Sequence, residues 1–219
     1  MNSLQLGRGR SGPRRVLCLG AHSDDIEIGC GGMVLELRRR RPGIQFQWVV
    51  FSAAGVRAAE ARASARRFLG PGAKDAVQLF AFRDGFFPAE FAEVKEAFER
   101  IGREFQPDLV LTHTRDDRHQ DHRVVSDLTW NTFRRHLVLE YEIPKWDGDL
   151  GRPNSYLPLS ASVARRKSQL LMDGFASQRS KDWFSPETFL GLMRLRGVEC
   201  RAPGGYAEAF VARKVVLEL

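Results

Sequence analysis

Apolar runs of strand length, separated by stretches of helical composition, constrain this chain more than any other feature. Arg15–Leu19 (RVLCL), Phe46–Phe51 (FQWVVF) and Asp108–Thr112 (DLVLT) read as buried strands, and Ala76–Phe80 as a shorter one. Gly31–Arg40 and Arg57–Leu69 read as helices. So does Pro88–Phe105, with Phe91, Val94, Phe98 and Ile101 at helical spacing. Pro42-Gly43, Gly70-Pro71-Gly72 and Asp84-Gly85 punctuate these segments. Asp121–His136 follows the fourth strand as another helix, with His136 read as a surface or half-buried residue. Strand and helix in strict alternation predict an α/β, Rossmann-like fold: a mostly parallel sheet flanked by helices. In such sheets ligands collect outside the carboxyl ends of the strands.

The second part of the sequence is less regular. Residues 140–160, rich in Trp, Gly, Pro and Asn, read as a long loop region with short strands. Ala161–Phe175 and Pro186–Arg196 read as helices, and Glu208–Leu217 as a last strand. No repeat or linker interrupts the chain. The expectation is one domain over residues 1–219 with a C-terminal elaboration, residues 1–14 being polar, Gly/Arg-rich and flexible.

Charge and cysteine content exclude several classes. The formal net charge of +7 permits an acidic partner, but the arginines are scattered through helical segments and no nucleic-acid reader motif accompanies them. Cys18, Cys30 and Cys200 show no CxxC spacing, and Cys18 lies within an apolar strand. That pattern suits a reducing compartment. No apolar run approaches a membrane span, and the first residues lack the apolar core of a secretory signal. The expectation is a cytoplasmic protein with neither nucleic acid nor membrane as partner, its homo-oligomerisation left open.

Two polar clusters stand at strand ends. "GAHSDDIEIGCGG" places His22, Asp24 and Asp25 after the first strand, and "RHQDHR" places His119, Asp121 and His122 after the fourth, with His113 at that strand's end. Ionisable groups gathered this closely are costly to desolvate unless something uses them. His22 and Asp25 are three residues apart, as are His119 and His122. Either spacing alone is commonly a capped turn or a solvated helix face. Both at one edge of one sheet point to a metal site, since imidazole and carboxylate suit Zn2+ and related ions.

The first cluster resembles the AHPDDxE signature of the PIG-L/LmbE family of metal-dependent N-acetyl-sugar deacetylases, and "HQDH" is similar to that family's second motif. The resemblance extends to "RAAEARASARRFLG" and "FRDGFF", and weakly to "RGVECRAPGGYAEAF". It implies a Rossmann-like fold and hydrolysis of an N-acetyl or N-acyl group on an amino sugar. The substrate would be free, nucleotide-linked or a glycoside, and the cofactor Zn2+, with Fe2+ or another divalent ion as alternatives. It implies His22, Asp25 and His122 as metal ligands and Asp24 as general base. It implies His119 as the group that stabilises the oxyanion or protonates the amine, tuned by Asp121, with Arg57 and Asp84 binding the sugar. Ser23 stands where the family usually has proline; no ligand is lost by that change.

Two other classes remain open from the residues alone. A Rossmann-like nucleotide-binding protein without hydrolase activity would need GxGxxG, but Gly29, Gly31 and Gly32 follow the aspartates, which would repel a pyrophosphate. A basic nucleic-acid-binding protein rests on net charge only.

Overall fold

The computed structural model describes residues 12–70 and 77–216. The expectations for residues 1–11, for Pro71-Gly72, for Ala76 and for Leu217 lie outside that range.

In chain order the elements are β1 (Arg15–His22), α1 (Asp25–Arg40), β2 (Gln45–Ser52), α2 (Gly55–Leu69), β3 (Val77–Leu79), α3 (Phe91–Glu104) and β4 (Leu109–His113). They continue with α4 (Gln120–Thr132), β5 (Leu137–Tyr141), β6 (Ser155–Leu159), α5 (Ala161–Gly174), α6 (Pro186–Glu199) and β7 (Tyr206–Val211). All the described strands join one sheet in the order β3-β2-β1-β4-β5-β7-β6. The first five are parallel, whereas β7 runs against both β5 and β6. The sheet is therefore the expected mixed, mostly parallel α/β layer, closed at one side by the C-terminal elaboration.

Period-two alternation builds a core on each face. From β1, Val16 and Cys18 face the cluster that includes Trp48, Phe68 and Leu171, beneath α1, α2 and α5. Leu17, Leu19 and Ala21 face the other way, toward Phe51, Phe98 and Leu128, beneath α3 and α4. A strand buried on both sides reads as a continuous apolar run, which is why β1 and β2 were legible.

Chain order reverses across β1: β2 lies on one side and β4 on the other. This is the topological switch point, where a crevice opens at the carboxyl ends. His22 ends β1 and His113 ends β4 there.

Several boundaries differ from the sequence reading. Helix α1 begins at Asp25, well before Gly31, and breaks at Cys30, whose φ is −141°. The break is mended from a distance. Glu208 of β7 accepts the N–H groups of Gly32 and Met33, both at 2.6 Å, as an N-cap would for the second half. Lys167 of α5 donates to Ile28 O at 2.6 Å and pairs with Glu208 at 2.7 Å. Gly29 allows the close approach of α1 to β5: a Cβ there would lie 2.1 Å from the Tyr141 ring.

Helix α4 stops at Thr132, so His136 lies beyond it. Leu137–Tyr141 is a buried strand, correcting the assignment of residue 140 onward to loop; within 140–160, β6 occupies Ser155–Leu159. Arg14, read as part of a flexible leader, donates its N–H to Asp108 Oδ2 at 2.8 Å. The last strand begins earlier than Glu208 and ends at Val211.

Candidate metal centre

The turn from β1 into α1 delivers the first cluster. His22 ends the strand, and its N–H bonds Asp25 Oδ2 at 2.6 Å, which fixes that carboxylate. Asp24 occupies the N-cap position of α1, yet its side chain makes no capping bond. Its carboxylate stays available, with the Arg57 guanidinium 4.0 Å away.

The loop from β4 into α4 delivers the second cluster. His119 is the N-cap of α4, its Nδ1 accepting from Asp121 N–H at 3.2 Å. His122 lies on the first turn of that helix and is buried. The two segments meet: His22 Nδ1 is 3.1 Å from His122 Nε2, and both are 3.5 Å from Asp25 Oδ2. Four tetrahedral ligands at zinc bond lengths stand about 3.3 Å apart. Two imidazole nitrogens and one carboxylate oxygen with those spacings fit a divalent ion.

The surroundings favour a cation at that point. Burial works against a charged His22, but Asp25 and hydrogen bonds to Asp121, Asp25 and Asp84 outweigh it and raise the imidazole well above its ordinary pKa. Burial would raise Asp25, but the charges of His122, His113 and His22 hold it well below the carboxylate range. Burial and then the His113 charge bring His122 down to about 4. A neutral His122 with Nδ1 at 2.9 Å from Asp117 Oδ2 carries its proton toward that carboxylate and leaves the Nε2 lone pair facing the centre. Burial, then the Asp25 charge, push Asp24 up to about 6 against Arg57, His22 and Lys181.

A family model described as GlcNAc-PI de-N-acetylase, PIG-L, matches residues 17–133, more than half of the chain and both clusters. The chain belongs to the PIG-L family.

Solved structures show the same fold at low identity. N,N'-diacetylchitobiose deacetylase from Pyrococcus horikoshii has a TM-score of 0.69 at 20% identity, with 90% of this chain and 83% of that one covered. A zinc-inhibited form of teicoplanin deacetylase Orf2 has a TM-score of 0.68 at 17% identity, covering 90% and 96%. GalB, the 4-carboxy-2-hydroxymuconate hydratase from Pseudomonas putida KT2440, has a TM-score of 0.73 at 20% identity, covering 94% and 99%. Identities this low establish the fold, and one fold hosts many chemistries. No curated protein matches the chain by sequence.

All eight residues singled out from the PIG-L motifs meet at this edge. Asp84 Oδ1 is 3.1 Å from His22 Nε2, and its Oδ2 is 2.7 Å from Arg57 Nη1. The His22 hydrogen bond, then that histidine's charge and Arg57, outweigh burial and hold Asp84 far below its usual pKa. Asp121, expected to tune His119, also contacts other parts of the centre. Its carboxylate accepts from Gly85 N–H at 2.6 Å and Phe87 N–H at 3.1 Å, and its Oδ2 is 3.2 Å from His22 Nε2. Its carboxylate thus braces His22, and its bond to His119 is made through the backbone. Burial and then the His22 charge lower the His119 pKa, although the Asp121 charge works the other way.

Three more residues belong to the centre. His113, noted from sequence only as the end of the fourth strand, places Nε2 3.2 Å from Asp25 Oδ2 and 3.0 Å from Ala21 N. Its ring stacks on His122 at 3.9 Å. Asp117, not anticipated, holds His122; a carboxylate two positions before an HxxH pattern was the available signal. Lys145 backs Asp117 at 3.0 Å from a segment whose sequence gave no hint of it.

Proposed function

We propose that the protein is a divalent-metal-dependent hydrolase that removes an N-acetyl group from an amino sugar. The observation that carries this is the triangle of His22 Nδ1, Asp25 Oδ2 and His122 Nε2, with Asp24 beside it and free of capping duty. Those three residues would hold the ion. Zn2+ suits two imidazoles and a carboxylate, as does Fe2+; a neighbour described as zinc-inhibited is a reason to assay both. When bound, such an ion supplies Lewis acidity, acidifying water and polarising a carbonyl oxygen.

The chain's own groups do the rest. Asp24 takes a proton from the attacking water and passes it to the amide nitrogen as the C–N bond breaks, so the products are acetate and the free amine. His119, with Nδ1 engaged by a backbone N–H and its basicity lowered, carries its proton on Nε2 as a neutral imidazole. It donates that hydrogen bond to the oxyanion, in place of acting as a charged acid. Asp121 braces His22 and the segment after Gly85. Arg57 and Asp84, paired at the partly exposed mouth, bind sugar hydroxyls.

The substrate is a small N-acetylated sugar, free, nucleotide-linked or glycosidic. No helix among the described residues is long and apolar enough to cross a membrane. The test is a panel of such sugars assayed for released acetate, before and after chelation and with single ions added back. Acetate release that chelation abolishes and an ion restores is the expected result. A metal-loaded protein that releases no acetate but hydrates an unsaturated carboxylate, the reaction class of the GalB neighbour, would replace this reading.

A further inference from the structure

Lys145 is a buried cation that no step above uses. It leaves the segment between β5 and β6 with its side chain 7% exposed. Its ammonium lies 3.0 Å from Asp117 Oδ1 and also pairs with Asp149. Asp149 accepts the Arg118 N–H at 2.7 Å, so the pair is stitched into the β4–α4 loop. Burying an ammonium is costly unless the partners need it there. The segment has a second tether nearby, Trp146 Nε1 donating to Asp182 at 2.7 Å.

Asp117 divides its two oxygens between different tasks. Oδ2 meets His122 Nδ1 at 2.9 Å, while Oδ1 accepts His119 N–H at 2.8 Å and faces Lys145. With Lys145 removed, one backbone N–H alone would restrain Oδ1, and two buried carboxylates would confront each other without the cation between them. The carboxylate's direction sets the ring plane of His122, whose Nε2 is a corner of the ligand triangle. Outer partners of ligating histidines typically alter metal affinity 10–100-fold when changed.

We propose that Lys145 is a positioning residue for the metal: by pinning Asp117 it aims His122 and couples the β5–β6 segment to metal affinity. This rests on the reading of His122 as a ligand.

The experiment compares wild type, Lys145→Met, Lys145→Gln, Lys145→Arg and Trp146→Phe, each stripped of metal and checked for fold by circular dichroism. Zn2+ affinity is read by competition with a chelating indicator, and site geometry by the visible ligand-field bands of bound Co2+. Lys145→Met is expected to bind Zn2+ about 10-fold more weakly, the low end of the range for a direct partner of a ligating histidine because Lys145 acts one contact further out, with altered Co2+ bands. Lys145→Gln should fall between it and wild type and serves if the methionine variant does not fold. Lys145→Arg should restore affinity, and Trp146→Phe should leave it unchanged. A wild type that binds while the Lys145 variants match it overturns the coupling alone. Equal weakening by Trp146→Phe also overturns it, because loop tethering would then suffice. A wild type that binds no divalent ion overturns the metal reading and the coupling together.

Discussion

Glu208→Gln is the substitution whose cost the fold defines most sharply. The side chain keeps its volume, so no cavity term enters. Glu208 is 3% exposed and accepts two helix N–H groups at 2.6 Å while pairing with buried Lys167 at 2.7 Å. The amide offers one acceptor where two N–H groups and an ammonium stand. Leaving a buried ion without its partner costs about 3–5 kcal/mol, and an unsatisfied helix N–H about 1–3 kcal/mol. The two overlap, because the lysine keeps its bond to Ile28 O. A loss of about 4 kcal/mol is therefore expected, and in a chain of this size each kcal/mol lowers Tm by about 2–4 °C. Urea unfolding followed by tryptophan fluorescence and far-UV circular dichroism measures it. Lys167→Met and the double variant complete a cycle with an expected coupling of about 2 kcal/mol. A loss below about 1 kcal/mol, or two changes that simply add, would refute the idea that this pair mends the break in α1.

Further outcomes test the centre and its frame. Asp24→Asn should retain metal while turnover falls about 10²–10⁴-fold, the range for a lost general base; unchanged turnover removes Asp24 from that role. His119→Ala should cost about 10²–10³ in kcat, as the loss of an oxyanion donor does, with KM nearly constant; a change confined to KM would make it a binding residue. Gly29→Ala drives a methyl into the buried Tyr141 ring and should destabilise the protein by about 1–3 kcal/mol or more; an unchanged melting curve would show that α1 does not lie so close. Metal added to the stripped protein at 100 times its Kd should stabilise it by about 2.7 kcal/mol, read as a rise in Tm; no shift at any concentration of Zn2+ or Fe2+ contradicts the site.

Most of the sheet could be read directly from the sequence, for a physical reason. Strands β1, β2 and β4 are covered on both faces, so they appear as unbroken apolar runs, and the two histidine-bearing clusters follow two of them. What escaped reading depended on distant partners. Helix α1 runs on across "IGCGG", which looks like a turn, because Glu208 and Lys167 supply bonds there that local residues lack. Strand β5 was hidden because Leu137–Tyr141 contains Glu140, whose buried carboxylate is satisfied by distant partners, Trp130, Arg213 and the Arg115 N–H. Motif spacing pointed to a metal site and the PIG-L resemblance implied His22, Asp25 and His122 as its ligands, while neither pointed to Asp117 or Lys145. Their roles come from a contact between two loops that no periodicity encodes.

The mended break in α1 has a consequence for synthesis. A ribosome has released every proposed ligand of the ion once residue 122 is out. The helix that carries Asp25 still lacks its bridging carboxylate until strand β7 emerges some eighty residues later. Completion of α1 is thus tied to the strand inserted last, between β5 and β6. A nascent chain interrupted before Tyr206 would carry both clusters and still lack the carboxylate that caps the second half of α1.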